Sequence, residues 1–398
     1  MQAKAWVNDS KTFLALRSSN YLAGQIAQRL GASIYCPGIG HIVSDPTVAR
    51  TIMADQEHFS INEAGGLGSL ISEIWGNAPT LLSMDGVEHH RVKFALLDSF
   101  KEEALSLSLG YELGQLTSVL ISDLQAGKQV DIAQYIRIHT LHITSKLLGV
   151  EAVDEAKILY ISDLVTNVMG CVDLKNKTFS KSNRQKARTY VQKLKVVAKE
   201  YYTCPNLTEG SLINKLKELG YTQEKTYGFI AMFLVAGTVT VSSSFPRLLA
   251  LLIDTKSINT LREDPALLDS AINEGFRYIT PGTTSLYGVK KSITLSGREF
   301  KENQRVIISL YNIMHNSRYT PNPYEFNISR VQNPQIQGLW FGTGPHFCMG
   351  SVLAKTEIKL LLTNLLALQG AIEIKSRTYR KAGVYPSYQS LTISLVPH

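Results

Sequence analysis

From Gly228 to Leu252 the chain reads GFIAMFLVAGTVTVSSSFPRLLALL. A helix that is apolar all round has no face to offer water, so it belongs in a protein interior or in a bilayer. Threonines, serines and Pro246 interrupt this one, and no run of about 18 purely apolar residues occurs in the chain. A buried central helix is expected, around which the other elements have to pack.

Helical periodicity from about residue 90 to 275 supplies those elements, with turns at CPNLTEG and LREDP. Beyond residue 282 the pattern changes to short β-like runs, GVKKSITL, REF and QRVIISL, and then to a proline-containing meander, NSRYTPNPYEFNISR. SVLAKTEIKLLLTNLLALQG reads as a further helix stopped by glycine, and GVYPSYQSLTISLV as terminal strands. No repeat, low-complexity tract or linker divides the chain. One mainly α domain over residues 1–398, with a small β-rich region, is the expectation.

With 44% hydrophobic and 19% charged residues the chain has the balance of an ordinary soluble protein. Its start, MQAKAWVNDSKTFLALRSSN, lacks the pattern of a secretory signal, so a cytoplasmic location without membrane contact is expected. The N-x-S/T sequons at Asn8, Asn176, Asn206 and Asn327 then carry no weight. A net charge of +8 raises the question of nucleic acid. The densest basic stretch, KNKTFSKSNRQKARTYVQKLKVVAKE from Lys175, alternates charges with Tyr190, Leu194 and Val197 at helical spacing, and no nucleic-acid motif accompanies it. It reads as a solvated helix face, or else as a docking surface for an acidic protein.

The four cysteines, Cys36, Cys171, Cys204 and Cys348, form no CxxC pair, which argues against a disulfide framework and a cysteine-rich zinc site. Only Cys348 stands in a specialised setting, FGTGPHFCMG, where three glycines and a proline bend the backbone. The loop runs directly into the next helix, so its last N–H groups lie at the positive end of the helix dipole and favour an anion. That predicts a thiolate of lowered pKa, acting as a nucleophile or as a metal ligand. A nucleophile wants a base, and His346, two residues away, points elsewhere. An axial thiolate on haem iron wants N–H donors around sulfur and a flat backbone, which Gly342, Gly344 and Gly350 suit better.

Phe341, Gly344, Cys348 and Gly350 match the FxxGxxxCxG haem-binding signature, and in this the chain resembles the cytochrome P-450 superfamily. Three further stretches resemble it in the family's order. NEGFR holds Glu274 and Arg277, three apart and so on one helix face; the resemblance implies a buried network, completed by Arg330 of the meander, that supports the loop structurally. MDGVEHHRVKFALLDSF resembles the helix whose histidine and basic residue, here His89 and Lys93, face the haem propionates, with lysine where relatives more often have arginine. A zinc site built from Glu88, His89 and His90 fails, because adjacent helical side chains point apart. His346 resembles another propionate contact, and Tyr287 in PGTTSLYG stands where many relatives carry a propionate arginine.

AGTVT matches the AGx(D/E)T motif at Ala236, Gly237 and Thr240. The resemblance implies a local break in the helix ladder over the iron, with Gly237 permitting the close approach of oxygen and the Thr240 hydroxyl hydrogen-bonding it. Val239 is a departure, because relatives usually place there an acid that helps relay protons.

What the resemblance implies as a whole is the mainly α P-450 fold, with haem b (iron protoporphyrin IX) between the distal helix and the cysteine loop. The implied activity is a haem-thiolate monooxygenase inserting one oxygen atom from O2 into a small organic substrate, free or carrier-tethered, in specialised-metabolite biosynthesis. Electrons would come from a ferredoxin or flavodoxin-type partner with its reductase. The valine at 239 keeps open an alternative that uses peroxide, nitric oxide or radical coupling, and a non-catalytic haem sensor stands as a third reading. The family's pocket positions fall on the loop from Ser60 to Leu82, on Val235 and Val239, on the GTTSLY turn, and on Tyr385 to Tyr388. Gly65, Gly66 and Gly68 lack a following GKS/T and read as a mobile loop at the pocket mouth.

Overall fold

The computed structural model describes residues 18–76, 78–151, 153–172, 176–380 and 384–397. The opening segment through residue 17 with its sequon at Asn8, Lys175 at the head of the basic stretch, and Gly383 at the head of GVYPSYQSLTISLV lie outside the described residues.

Helix α1 (Ser18–Leu30) leads into strands β1 (Ser33–Cys36) and β2 (Gly40–Val43). Helix α2 (Pro46–Ala54) starts sharply, because Pro46 occupies its first turn and the Asp45 carboxylate accepts the N–H groups of Thr47 and Val48. Strand β3 (Phe59–Ser60) and helix α3 (Leu67–Trp75) follow. Next come α4 (Gly86–Leu97), α5 (Glu102–Gln125), the two-residue strand β4 (Val130–Asp131), α6 (Ile132–Leu148), α7 (Glu155–Cys171), α8 (Lys181–Tyr202), α9 (Leu212–Glu218) and the central α10 (Gln223–Asp254). Asp131, Asp154, Ser180, Ser211 and Thr222 cap α6 to α10 in turn, each side chain accepting an N–H of the first turn. The basic stretch forms α8, which turns Ala187, Val191, Leu194, Val197 and Tyr201 inward and leaves Lys181, Lys186, Lys193 and Lys199 to solvent, while the half-buried Lys195 donates to the Trp75 carbonyl.

Helices α11 (Ser257–Glu263) and α12 (Leu268–Ile279) precede strands β5 (Ser285–Val289), β6 (Ile293–Leu295), β7 (Arg298–Phe300) and β8 (Arg305–Ile308). GVKKSITL is therefore two strands rather than one, parted at residues 290–292 and belonging to different sheets. Helix α13 (Leu310–Met314), the meander, helix α14 (Ser351–Leu366) and the hairpin β9 (Ala371–Tyr379) with β10 (Tyr388–Val396) complete the chain.

Five strands form one sheet in the order β1-β2-β8-β5-β3, in which only β2 and β8 run parallel, with His41 opposite Val306. A second sheet, β4-β10-β9, sets Thr392 opposite Asp131. Asp131 thus serves twice, capping α6 and accepting the Leu391 N–H at 3.0 Å.

Helix α10 is long and apolar enough to cross a membrane, yet 67% of its most apolar window is buried within the protein. Two apolar clusters meet along it. Phe229 to Val235 join residues from α4 to α9, and Val241 to Leu252 join residues from α12 and α14. Pro246 interrupts its hydrogen bonding, and the hydroxyls of Ser243 and Ser244 bond back to the Thr240 carbonyl one turn before.

Candidate functional site

Two glycines shape the cysteine loop. Gly342 has φ of +75° and Gly344 of +67°, a region that side chains with a Cβ disfavour. A Cβ on Gly344 would also stand 2.7 Å from the Met53 carbonyl oxygen at the end of α2. Gly350 is different. Its φ of −81° suits any residue, and nothing lies within 4 Å of the position a Cβ would take, so its want of a side chain leaves open space beside Cys348. Phe341 anchors the loop to the core, its ring 5.0 Å from that of Phe276 on α12, while its carbonyl accepts the Cys348 N–H at 2.9 Å.

Cys348 is open to solvent, yet protein surrounds its sulfur on most sides. Burial pushes the thiol up, and the Gly350 N–H and the Lys93 ammonium offset this only in part. The expectation of a lowered pKa is corrected here. A few N–H donors do not outweigh desolvation, and a positive centre at the sulfur is needed to hold the thiolate.

Lys93 is spent on the loop itself, donating to the carbonyls of Pro345 and Phe347, the latter at 2.7 Å. One turn earlier on α4, His89 is buried and His90 exposed, as adjacent helical positions require. The His89 ring lies 4.3 Å from that of His346, its Nδ1 is buried without a partner, and burial together with His346 lowers its pKa to about 4. His346 Nε2 meets the Asp85 carboxylate at 2.6 Å, and Ser60 donates to the other carboxylate oxygen. Burial works against that carboxylate, but these two hydrogen bonds outweigh it and hold Asp85 below its ordinary range. Tyr287 on β5 is buried close by, its hydroxyl pushed up by burial and by Asp85. Asp85 was not legible as a site residue. Its signal is that it stands at the N-cap of α4 without using its side chain as a cap.

Glu274 and Arg277 of α12 are both fully buried and paired twice, at 2.7 and 2.8 Å. Arg330 joins the same carboxylate at 3.1 Å, as do the Asn327 N–H at 3.1 Å and Gln332, unforeseen, at 3.0 Å. The guanidiniums also tie down the meander, Arg277 through the carbonyls of Met314 and Pro323 and Arg330 through those of Pro321 and Glu325. The meander that carries the cysteine loop is thus fixed to the core through one buried carboxylate.

On α10, Ala236 is exposed although Leu234 and Val235 before it are buried, so the helix has an opening against its middle. The helix runs through that point without a break, contrary to expectation. The Thr240 hydroxyl donates to the Ala236 carbonyl at 3.0 Å instead of standing free. Gly237 is also corrected. Its missing Cβ admits Thr144 of α6, whose Oγ1 would lie 2.5 Å from a methyl there, so the close approach is between helices. The loop at Gly65 is knit rather than loose, its carbonyl accepting the buried Arg305 at 3.1 Å.

The chemistry of the donor set fits a flat macrocycle bound through sulfur. The thiol is open to solvent, the exposed Ala236 stands on a helix that is otherwise mostly buried, Val239 of α10 and Met349 next to the thiol border one apolar cluster, and the buried His89 Nδ1 awaits an acceptor.

Residues 177–368 match the family model described as Cytochrome P450. A protein named Cytochrome P450 from Bacillus subtilis (strain 168) is 26% identical over 303 residues, 74% of this chain and 71% of its own length. The polyketide biosynthesis cytochrome P450 PksS of the same organism is 24% identical over 79% of this chain and 77% of its own. Among solved structures, P450BioI in complex with an acyl carrier protein ligated to hexadec-9Z-enoic acid superposes with a TM-score of 0.81 at 17% identity, covering 98% of this chain and 100% of that one.

Proposed function

We propose that this chain, which matches the cytochrome P450 family model over residues 177–368, is a monooxygenase of that family and oxidises a small organic molecule in specialised-metabolite biosynthesis, over haem b held by Cys348. The observation that carries this is the cysteine loop, bent by Gly342 and Gly344, with Gly350 leaving space beside the sulfur. The polyketide-biosynthesis relative supports the substrate class. The carrier-bound neighbour supports a substrate delivered on a carrier protein as well as a free one. The bacterial relatives support a cytoplasmic enzyme served by a ferredoxin or flavodoxin-type donor with its reductase.

Bound haem supplies the activation of O2, and a thiolate ligand favours O–O cleavage. The chain's own residues do the rest. The Gly350 N–H and Lys93 favour charge on the Cys348 sulfur. Lys93 also fixes the loop through Pro345 and Phe347. His89, held neutral, offers a buried ring nitrogen as a propionate contact, with His346 and Tyr287 beside it. Glu274, Arg277 and Arg330 keep the loop in register.

At the distal face the Thr240 Oγ1 proton rests on the Ala236 carbonyl, and the hydroxyl has to leave that acceptor before it can donate elsewhere. Val239 offers no proton. This favours a second reading, use of peroxide in place of O2 and two electrons. Product formation with a reductase system and O2, set against peroxide alone, tests the proposal, and turnover with peroxide only would overturn its O2-dependent form.

A further inference from the structure

Alongside the central helix lies an open cleft of about 520 Å³, a volume that includes the solvent at its mouth, bounded by α6, α7, α10 and the β9–β10 hairpin. Two arginines line it, Arg137 on α6 and Arg380 just past the end of β9. Neither guanidinium has a hydrogen-bond or ion-pair partner among the described residues, and burial disfavours the charge of both, with Arg380 adding to the effect on Arg137. Two acids act on Arg137 from a distance. Asp131 is already committed to the N–H groups of Ala133, Gln134 and Leu391, and Asp163 is exposed. The cleft wall also carries Thr238, only 2% exposed, whose hydroxyl is buried without any partner. Ser242, one turn on, adds a second hydroxyl whose one contact, to the Val239 carbonyl, is long at 3.4 Å.

Two half-buried cations next to an unsatisfied hydroxyl form an arrangement that is costly by itself and is relieved by an anion, because guanidinium forks match the oxygens of carboxylate and phosphate. We propose that this cleft is a binding site for the carboxylate or phosphate group of a small organic molecule, held by Arg137 and Arg380 and hydrogen-bonded by Thr238. Val165, Met169, Val239 and Val384 line the same cleft and take the molecule's apolar body. The site borders Val239, one residue from Thr240, so a bound carboxylate stands next to the position that lacks an acid; that last consequence rests on the proposed oxygen chemistry, whereas binding itself does not.

Calorimetric titration of the holoenzyme at low ionic strength, with inorganic phosphate and with octanoate as probes, tests the site, using octanol as the uncharged control. Saturable binding that weakens at least tenfold in both Arg137→Gln and Arg380→Gln, with octanol unaffected by either change, is the expected result. Octanoate binding more tightly than phosphate assigns the ligand as an organic carboxylate, and the reverse order assigns a phosphate ester. Absence of saturable binding of both probes by the unaltered protein, or equal affinity in both variants, overturns the site. Thermal melting of each variant establishes that it folds. The carbon monoxide spectrum of the same preparations reports separately on haem ligation, so failure of the haem reading is distinguishable from failure of this one.

Discussion

Gly237 of α10 and Thr144 of α6 meet so closely that a methyl group on the glycine would stand 2.5 Å from the threonine hydroxyl oxygen. That hydroxyl is itself fixed, donating to the Thr140 carbonyl at 2.7 Å. The glycine of the distal motif therefore holds the central helix against its neighbour.

Gly237→Ala is expected to destabilise the protein by about 1–3 kcal/mol through overpacking. Thr144→Ala removes the two nearest atoms and leaves only the Cβ at 3.4 Å, so the double variant regains most of that loss. Thermal or denaturant melting of the four proteins as a double-mutant cycle measures it. Additive effects would refute the contact.

Cys348→Ala is expected to abolish the red-shifted band of the ferrous carbon monoxide complex that marks thiolate ligation. A spectrum retaining that band would remove Cys348 as the axial ligand.

Glu274→Gln leaves the fully buried Arg277 and the partly buried Arg330 opposite a neutral amide. Breaking a buried pair in this way costs about 3–5 kcal/mol, and the meander it anchors carries the cysteine loop. Melting midpoint and haem content are both expected to fall. A variant of wild-type stability would mean that the carbonyl contacts of the two arginines suffice.

Glu357 of α14 is fully buried, its Oε2 without a partner, and desolvation raises its pKa to about 8. An acid whose folded pKa lies above its unfolded value of 4.5 contributes nothing against folding below pH 4.5, and costs stability progressively as pH rises from there to 8, by up to about 1.4 kcal/mol per unit. Glu357→Gln should raise the melting temperature at pH 8 and leave it nearly unchanged at pH 4.5. Equal effects at the two pH values would show that the carboxyl is ionised in the fold.

Thr240→Ala removes the hydroxyl that rests on the Ala236 carbonyl. If that hydroxyl guides proton delivery, hydrogen peroxide released per product formed rises several-fold under reductase-driven turnover. An unchanged ratio assigns the hydroxyl to packing.

The helical body was legible because periodicity is a local rule that the residues carry on their own, whereas the buried setting of the Glu274 pair and the role of the cysteine loop were legible through the resemblance of their motifs to a known family. Strand β9 was not. It lies at the edge of its sheet, and Glu373, Lys375 and Arg377 among its nine residues give it the look of a solvated segment until β10 pairs with it. Asp85 was invisible for a related reason, since its partners His346 and Ser60 stand 261 and 25 residues away. The sulfur environment of Cys348 was misjudged because local N–H donors are countable along the chain, whereas desolvation depends on everything folded around the loop. Gly237 matched a motif correctly in position, but the atom it accommodates belongs to another helix.

The double duty of Asp131 bears on how the protein is made. A chain leaving the ribosome displays the cap of α6 early, but strand β4 has no partner until Thr392 and Ile393 emerge, and the Leu391 N–H that completes the Asp131 carboxylate arrives 260 residues late. The helical body consequently waits with an unpaired sheet edge until β10 is made, and the thiol loop is made between the two. Cofactor capture and closure of that edge both await segments made long after the helical body, so removal of β10 is expected to yield aggregated chains rather than a stable shortened enzyme.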